Sequence, residues 1–375
     1  MGKKDVLIVA YGASVLLFRG PLIQALMRKG WDVVLAVPDL PEEAARTLAS
    51  WRVQVEHYRL SRTGVNPITD LATLWDLNRL LFRVKPQMVL TFQHKSNVYG
   101  LLAAALAGVP IRGAMVEGLG YAFTPGDEGL RKWVVRQVLT LLYRLTLPQA
   151  SKVFFLNPDD MAEFSRLGLL PKGKAVLLGG IGVPLEEWQP APPHLNPFTF
   201  TLIARLLAEK GVREFAEAAR TVKARHPQAC FLLIGPLDTN PGAIPEAEVR
   251  GWVEEGILEW VPWTEDVRHY LRRTSVYVLP SYYREGVPRS TQEAMAMARP
   301  VITTDAPGCR ETVEHGVNGF LVPPRDPGAL AEAMEVFLRE PGLVEKMGRE
   351  SRRMAEERFD AHKQAERLMG VLGLK

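Results

Sequence analysis

The stretch SVYVLPSYYREGVPRSTQEAMAMARPVITTD, residues 275–305, decides the fold. SVYVLP (275–280) is a short apolar run of the kind that forms a buried strand. Ser281 to Val287 forms a loop, and Gly286 and Pro288 suit a change of chain direction there. A helix begins near Pro288, because proline at a first helical turn lacks only an N–H that would have no helical partner. RPVITTD (299–305) then reads as the next strand. Strand, helix and strand in this order imply a right-handed crossover and a parallel sheet covered on both faces.

The same alternation runs outward in both directions. FTFTLIA (198–204), ACFLLIG (229–235) and GILEWV (256–261) are strands of the same half, with helices between them. Towards the N-terminus, DVLIVA (5–10), WDVVLAV (31–37), VQVEHY (53–58), QMVLTF (87–92), IRGAMVE (111–117) and KVFFL (152–156) repeat the pattern. The two series are separated by PLEEWQPAPPHLNPF (184–198), whose five prolines and lack of periodicity mark a linker. The fold class expected is α/β, with two Rossmann-like doubly wound domains facing a central cleft. The domains expected are 1–183, then the linker 184–198, then 199–355. A C-terminal helix at 356–375 is expected to pack back on the first domain.

The bulk properties agree with a soluble two-domain chain. The 375 residues exceed one ordinary domain core, and 47% are hydrophobic and 23% charged. Two cysteines, Cys230 and Cys309, do not make a disulfide framework, and a reducing cytoplasm fits. The apolar run Val6 to Tyr11 is too short for a signal segment. The net charge of +4 and pI near 9.0 favour an anionic ligand. No Lys/Arg stripe with interleaved aromatics appears, so no nucleic-acid partner is expected.

Glu285 and Glu293 stand on either side of the helix start. Alone, Glu285 reads as a solvated loop charge and Glu293 as a helix-surface carboxylate. The N–H groups of Arg289, Ser290 and Thr291 form an anion site. In ARLLAEKG (204–211), Arg205 and Lys210 place two cations on another strand-to-helix loop, suited to a diphosphate. Phosphates flanked by polyols describe a nucleoside diphosphate sugar. Gly235, at the end of ACFLLIG, and Gly286, Val287 and Pro288 complete the donor-side set.

These motifs resemble those of the family 4 glycosyltransferases, retaining enzymes of the GT-B architecture. EGVPRSTQE matches the family's Glu-x7-Glu pattern, and PVITTDAPGCRETVEHGVNGFLVPPRD matches the block after it. The resemblance implies that Glu285 contacts the donor sugar, Glu293 contacts the nucleotide ribose, and Arg205 and Lys210 neutralise the departing diphosphate. Glu285, Arg205 and Lys210 are thereby the expected catalytic groups. FRGPLIQALMRKGWDV, HKSNVYG (94–100) and EGLGYAFT (117–124) look like bacterial transferases that build polysaccharide repeat units on undecaprenyl diphosphate. The implied reaction moves a hexose or N-acetylhexosamine from a UDP-sugar to a lipid diphosphate-linked saccharide. The alternatives are a soluble acceptor, a nucleotide-sugar 2-epimerase and a non-catalytic nucleotide-sugar-binding protein.

On the acceptor side, the resemblance marks Gly12, Ser14, Arg19, Lys95, Asn97, Glu117 and Gly118; each alternatively reads as a structural loop residue. Many family members carry a histidine near the donor sugar where this chain has Met115-Val116-Glu117-Gly118. Either Glu117 takes that place or backbone does, and His94 reads as an ordinary, partly buried histidine. No Asp-x-Asp triplet or metal-ligand histidine spacing occurs, so neither metal nor cofactor is expected. EGLRKWVVRQVLTLLYRLTL (128–147) sets Arg131, Lys132, Arg136 and Arg144 among apolar residues. It either lies on an anionic membrane surface or packs its apolar face on the sheet. The first alternative places the protein at the inner face of the cytoplasmic membrane, held by attractions that salt weakens.

Overall fold

The computed structural model describes residues 4–12, 14–61, 67–124, 126, 129–240 and 242–374. The chain divides into two compact units, one of residues 1–181 with 361–375, the other of 182–360.

The first unit runs β1 (Asp5–Val9), α1 (Val15–Arg28), β2 (Asp32–Val37), α2 (Glu42–Ser50), β3 (Gln54–His57), α3 (Pro67–Val84), β4 (Met88–Phe92), α4 (His94–Leu106), β5 (Ile111–Val116), α5 (Leu130–Thr146), β6 (Lys152–Phe155), α6 (Pro158–Arg166) and β7 (Ala175–Leu177). Its sheet is ordered β3-β2-β1-β4-β5-β6-β7, and the neighbouring strands are parallel. The central strands β1 and β4 are buried along their whole length, as sheets covered on both faces require.

The second unit contains β8 (Thr199–Ile203), α7 (Val212–Arg225), β9 (Cys230–Ile234), α8 (Glu246–Glu254), β10 (Glu259–Val261), α9 (Arg268–Arg272), β11 (Val276–Leu279), α10 (Arg289–Ala296), β12 (Val301–Thr304), β13 (Gly319–Val322), α11 (Pro327–Arg339) and α12 (Gly342–Arg358). The order β10-β9-β8-β11-β12-β13 is again parallel. Phe200, Phe215 and Phe231 build its core, with Phe200 and Phe231 stacked at 5.3 Å between ring centres. In both sheets the direction of winding reverses at one point, between β1 and β4 and between β8 and β11. Loops part there at the strands' carboxyl ends and leave room for ligands.

The proline-rich segment 184–198, read as a linker, is fixed to the second unit. Prolines remove N–H donors and leave carbonyls seeking partners. The fully buried Arg299 supplies them, donating to Pro192 O at 2.8 Å and to Ala191 O, while Nη1 of the same guanidinium ties the segment to Thr274 O at 2.8 Å. Ser275 Oγ donates to His194 O, and Trp188 is buried. The last helix, α13 (Ala361–Val371), belongs to the first unit and packs on α1.

Candidate active site

In the second unit the site is assembled by two loops pressed together at the β8/β11 reversal. A Cβ on Gly211 would lie 2.2 Å from Pro280 O, and its φ is +75°. Only glycine allows the backbones this close in that conformation. Glu209 O, just before it, accepts from the N–H groups of Tyr282 and Tyr283 at 2.9 and 3.0 Å. Lys210 therefore reaches across the join. Its Nζ donates to Glu285 Oε1 and lies 5.4 Å from the centre of the Tyr283 ring. Ser281 Oγ donates to the same carboxylate oxygen at 3.0 Å. A third loop, after β12, closes against this pair, since a Cβ on Gly308 would stand 2.4 Å from Gly286 O.

Arg205, on the loop after β8, donates through Nη1 to Asp238 Oδ2 at 2.6 Å. Asp238 Oδ1 in turn accepts from the N–H groups of Thr239 and Asn240. Burial opposes ionisation of Asp238, but the Asn240 N–H and the Arg205 charge outweigh it and hold its carboxyl below the ordinary range. Gly235 acts through its backbone: with φ at +151°, its Cβ would be 1.8 Å from Ala204 O. The end of β9 thereby lies against the Arg205 loop.

α10 begins after Pro288, as the proline predicts. Glu293 is buried and accepts from Arg289 Nε at 2.8 Å, one turn back on the same helix. Burial pushes its carboxyl upward, and the Arg289 charge opposes that shift. The solvated-surface reading of Glu293 is thus replaced by a buried ion pair. Arg289 Nη1 also donates to Gly182 O at 3.1 Å. Ser290 Oγ accepts from Tyr277 OH at 2.6 Å, and the buried Val287 gives its carbonyl to Gln292 Nε2 at 3.0 Å. Thr291 Oγ1 is buried with no hydrogen-bond partner. The first turn of a helix presents backbone N–H groups of the kind that favour an anion.

In the first unit the marked residues lie after β1, β4 and β5. Arg19 is buried on α1, with its guanidinium carbon 3.8 Å from the centre of the Phe92 ring, and Nη2 donates to Glu117 Oε1. Its Nε has no partner. Lys95 donates to Asp70 Oδ1 at 2.7 Å. Asn97 is engaged by the fold itself. It is fully buried, accepts from Thr91 Oγ1 and donates to Met115 O, both at 2.8 Å, and so ties β4 to β5. Gly12 is also structural: its Cβ would fall 1.4 Å from Asp39 O. Ser14 occupies the N-cap of α1 without a side-chain cap bond, and Gly118 has φ +109°. His94 Nδ1 meets Tyr143 OH at 2.7 Å, and burial pushes its pKa down to about 4.

Asp238, Ser281 and Tyr283 complete the donor-side cluster, and no motif marked them. Asp238 had one legible signal, its place in PLDTNPG directly after a strand. Among the described residues no group of three or more His, Cys, Asp or Glu side chains is placed to hold a metal ion.

Residues 197–340 match the family described as glycosyl transferases group 1, and residues 20–180 match the glycosyl transferase 4-like domain. The N,N'-diacetylbacillosaminyl-diphospho-undecaprenol alpha-1,3-N-acetylgalactosaminyltransferase of Campylobacter jejuni is 30% identical over 346 residues, covering 88% of each chain. The UDP-Gal:alpha-D-GlcNAc-diphosphoundecaprenol alpha-1,3-galactosyltransferase of Escherichia coli is 26% identical, over 72% of this chain and 71% of that one. In fold, sucrose-phosphate synthase from Thermosynechococcus elongatus superposes with a TM-score of 0.80, covering 98% of each chain at 20% identity.

Proposed function

The chain belongs to the group 1 glycosyl transferases, in the GT-B architecture, and from that premise we propose a retaining transferase acting on a lipid diphosphate-linked saccharide. The donor is a UDP-sugar carrying a hexose or N-acetylhexosamine. The observation that carries the reading is the Lys210–Glu285 pair at the β8/β11 reversal. A cation for the diphosphate and a carboxylate for the sugar hydroxyls are fixed to each other before any donor arrives. Arg205, oriented by Asp238, adds a second cation, and the start of α10 adds N–H donors. Charge growing on the departing diphosphate meets groups already in position, so little reorganisation accompanies bond breaking. Glu293, aligned by Arg289, takes the nucleotide ribose.

The acceptor side lies on the first unit, around Arg19, Glu117 and Lys95. Both relatives described above carry a diphosphate-linked undecaprenol acceptor in their names, which supports a lipid-linked acceptor here. The test supplies UDP-sugars singly with undecaprenyl diphosphate-linked mono- and disaccharides and follows the lipid product by mass spectrometry. The expected result is one elongated lipid, with the donor's anomeric configuration preserved by NMR. Donor epimerised without an acceptor, or transfer only to soluble sugars, overturns the reading.

A further inference from the structure

α4 packs against both α3 and α5, and the three helices form one layer of the first unit. Their inward sides are conventional, with Leu77, Leu80 and Leu81 of α3 and Tyr143 of α5 buried. Their outward sides are not. On α3 the exposed positions Ile68, Leu71, Trp75 and Phe82 recur at helical spacing and share one face. On α5 the exposed set includes Leu130, Trp133, Leu141 and Leu145, and Leu106 joins it from the end of α4. Trp75 is 69% exposed and Leu130 76%. Single exposed apolar residues are normal on a soluble protein, but large ones concentrated on adjoining helices mark an interaction surface.

The charge on this layer has one sign. α4 and α5 contain no acidic residue; on α3, Asp70 is buried against Lys95 and Asp76 is half-buried against Arg59. The exposed charged residues of α3 and α5 are Arg79, Arg83, Arg131 and Arg144; Arg83 is paired with Glu56 of β3, which leaves Arg79, Arg131 and Arg144 to face an anionic surface. An apolar face carrying tryptophans and only arginines matches the layered chemistry of an anionic lipid leaflet, acyl chains beneath phosphates.

We propose that the outward faces of α3 and α5 together are an interfacial membrane surface. Its apolar side chains enter an anionic leaflet, and its arginines sit at headgroup level. The N-termini of α3 and α5 follow loops from the carboxyl ends of β3 and β5, the edge that also carries Glu117. The leaflet contact therefore adjoins the edge assigned to the acceptor. Here the inference rests on the lipid-linked acceptor reading, although the surface itself does not.

The surface corrects the sequence expectation of an attachment by Arg131, Lys132, Arg136 and Arg144 of the stretch 128–147, whose first residue, Glu128, lies outside the described residues. Lys132 is buried and donates to Thr124 O, and Arg136 is half-buried against Phe123 and Glu163. Arg131 and Arg144 remain exposed. With three cations, Arg79, Arg131 and Arg144, in place of four and with more apolar surface, attachment depends mainly on insertion and resists salt.

The test is sedimentation of the full chain with vesicles of equal parts phosphatidylcholine and phosphatidylglycerol, at low and high salt. Wild type is expected to bind and to lose only a few-fold at high salt. The exposed double substitution Trp75→Ser with Trp133→Ser should weaken binding at least tenfold while leaving thermal unfolding unchanged, and Arg131→Ala with Arg144→Ala should weaken it less. Absent vesicle binding, binding abolished by salt, or equal binding by the tryptophan variant overturns the proposal. So does a concentration-dependent dimer that the tryptophan substitutions dissolve, since that assigns the face to a second copy. Turnover of a water-soluble, short-prenyl diphosphate-linked acceptor is measured beside these. Its failure would sink the acceptor reading and leave vesicle binding standing; its persistence in the tryptophan variant, with turnover lost on vesicles, ties the two together.

Discussion

Lys210 is held by Glu285 and lies near the Tyr283 ring, so its charge is placed before the diphosphate departs. Its value should therefore appear in the transition state more than in donor binding. Lys210→Ala is expected to lower kcat roughly 10²–10³-fold, with the donor KM changed only a few-fold. Steady-state kinetics checks this, and a raised KM with unchanged kcat would remove Lys210 from the catalytic set. His94 gives a second prediction at this scale. Its folded pKa is depressed to about 4 from 6.5 by burial, against an opposing backbone bond with Leu119. A depressed folded pKa means stability that is complete above the unfolded value and lost as pH falls towards the folded one. The loss from about pH 6.5 to 4 should approach about 3 kcal/mol. Urea unfolding of wild type and His94→Gln should converge over that window; parallel curves would deny the shift.

Between elements, the decisive contact is the join of the β8 and β11 loops at Gly211. Gly211→Ala forces a Cβ to within 2.2 Å of Pro280 O at φ +75°. It should destabilise by about 3 kcal/mol, from backbone strain and the clash together, and should also separate Lys210 from Glu285 and depress activity. Gly30→Ala is the control, since φ is +78° there but nothing lies within 4 Å. It should cost about 1 kcal/mol and leave activity intact. Denaturant midpoints and initial rates on both variants check the pair; equal losses would show that conformation alone, not the join, is at stake.

What the chain revealed about its elements follows from the same physics. Central strands such as β1, β4 and β8 are short, predominantly apolar and β-branched runs and stood out. The Glu285 and Glu293 positions were legible because a proline and a glycine fixed the loop and the helix start. β7 and β13 are three and four residues long and carry too little pattern to separate from loops. α3 was illegible for a more informative reason: with Leu77 and Leu81 inward and Leu71 and Trp75 outward, apolar residues lie on two faces, and the stripe of Asp76, Arg79 and Arg83 between them is too narrow to set a clear helical period. The ion-pair partners Asp70 and Asp238 are fixed by tertiary contact, which spacing along the chain does not report.

For the whole molecule, the C-terminal helix makes the first unit discontinuous in sequence. α13 packs on α1, Glu366 pairs with Lys29 at 3.2 Å, and Arg367 donates to Leu177 O and Leu178 O at 2.9 Å each. Leu372 also lies 3.7 Å from where a Cβ on Gly113 of β5 would be. The chain must therefore complete the second unit before it can finish the first. Ending it after Asp360 uncovers the face of α1 that meets α13 and frees the carbonyls of Leu177 and Leu178 at the end of β7, while every residue of the second unit remains. Calorimetry should then show an early, weakened transition for the first unit and a nearly unchanged one for the second. UDP identifies the latter: at about 100 times its dissociation constant it should stabilise the unit that binds it by about 2.7 kcal/mol. The upper transition should rise with UDP in both full-length and truncated protein, and the lower should not. If UDP moves only the transition that truncation weakened, the donor site has been assigned to the wrong unit. If truncation lowers both transitions equally, the units unfold as one.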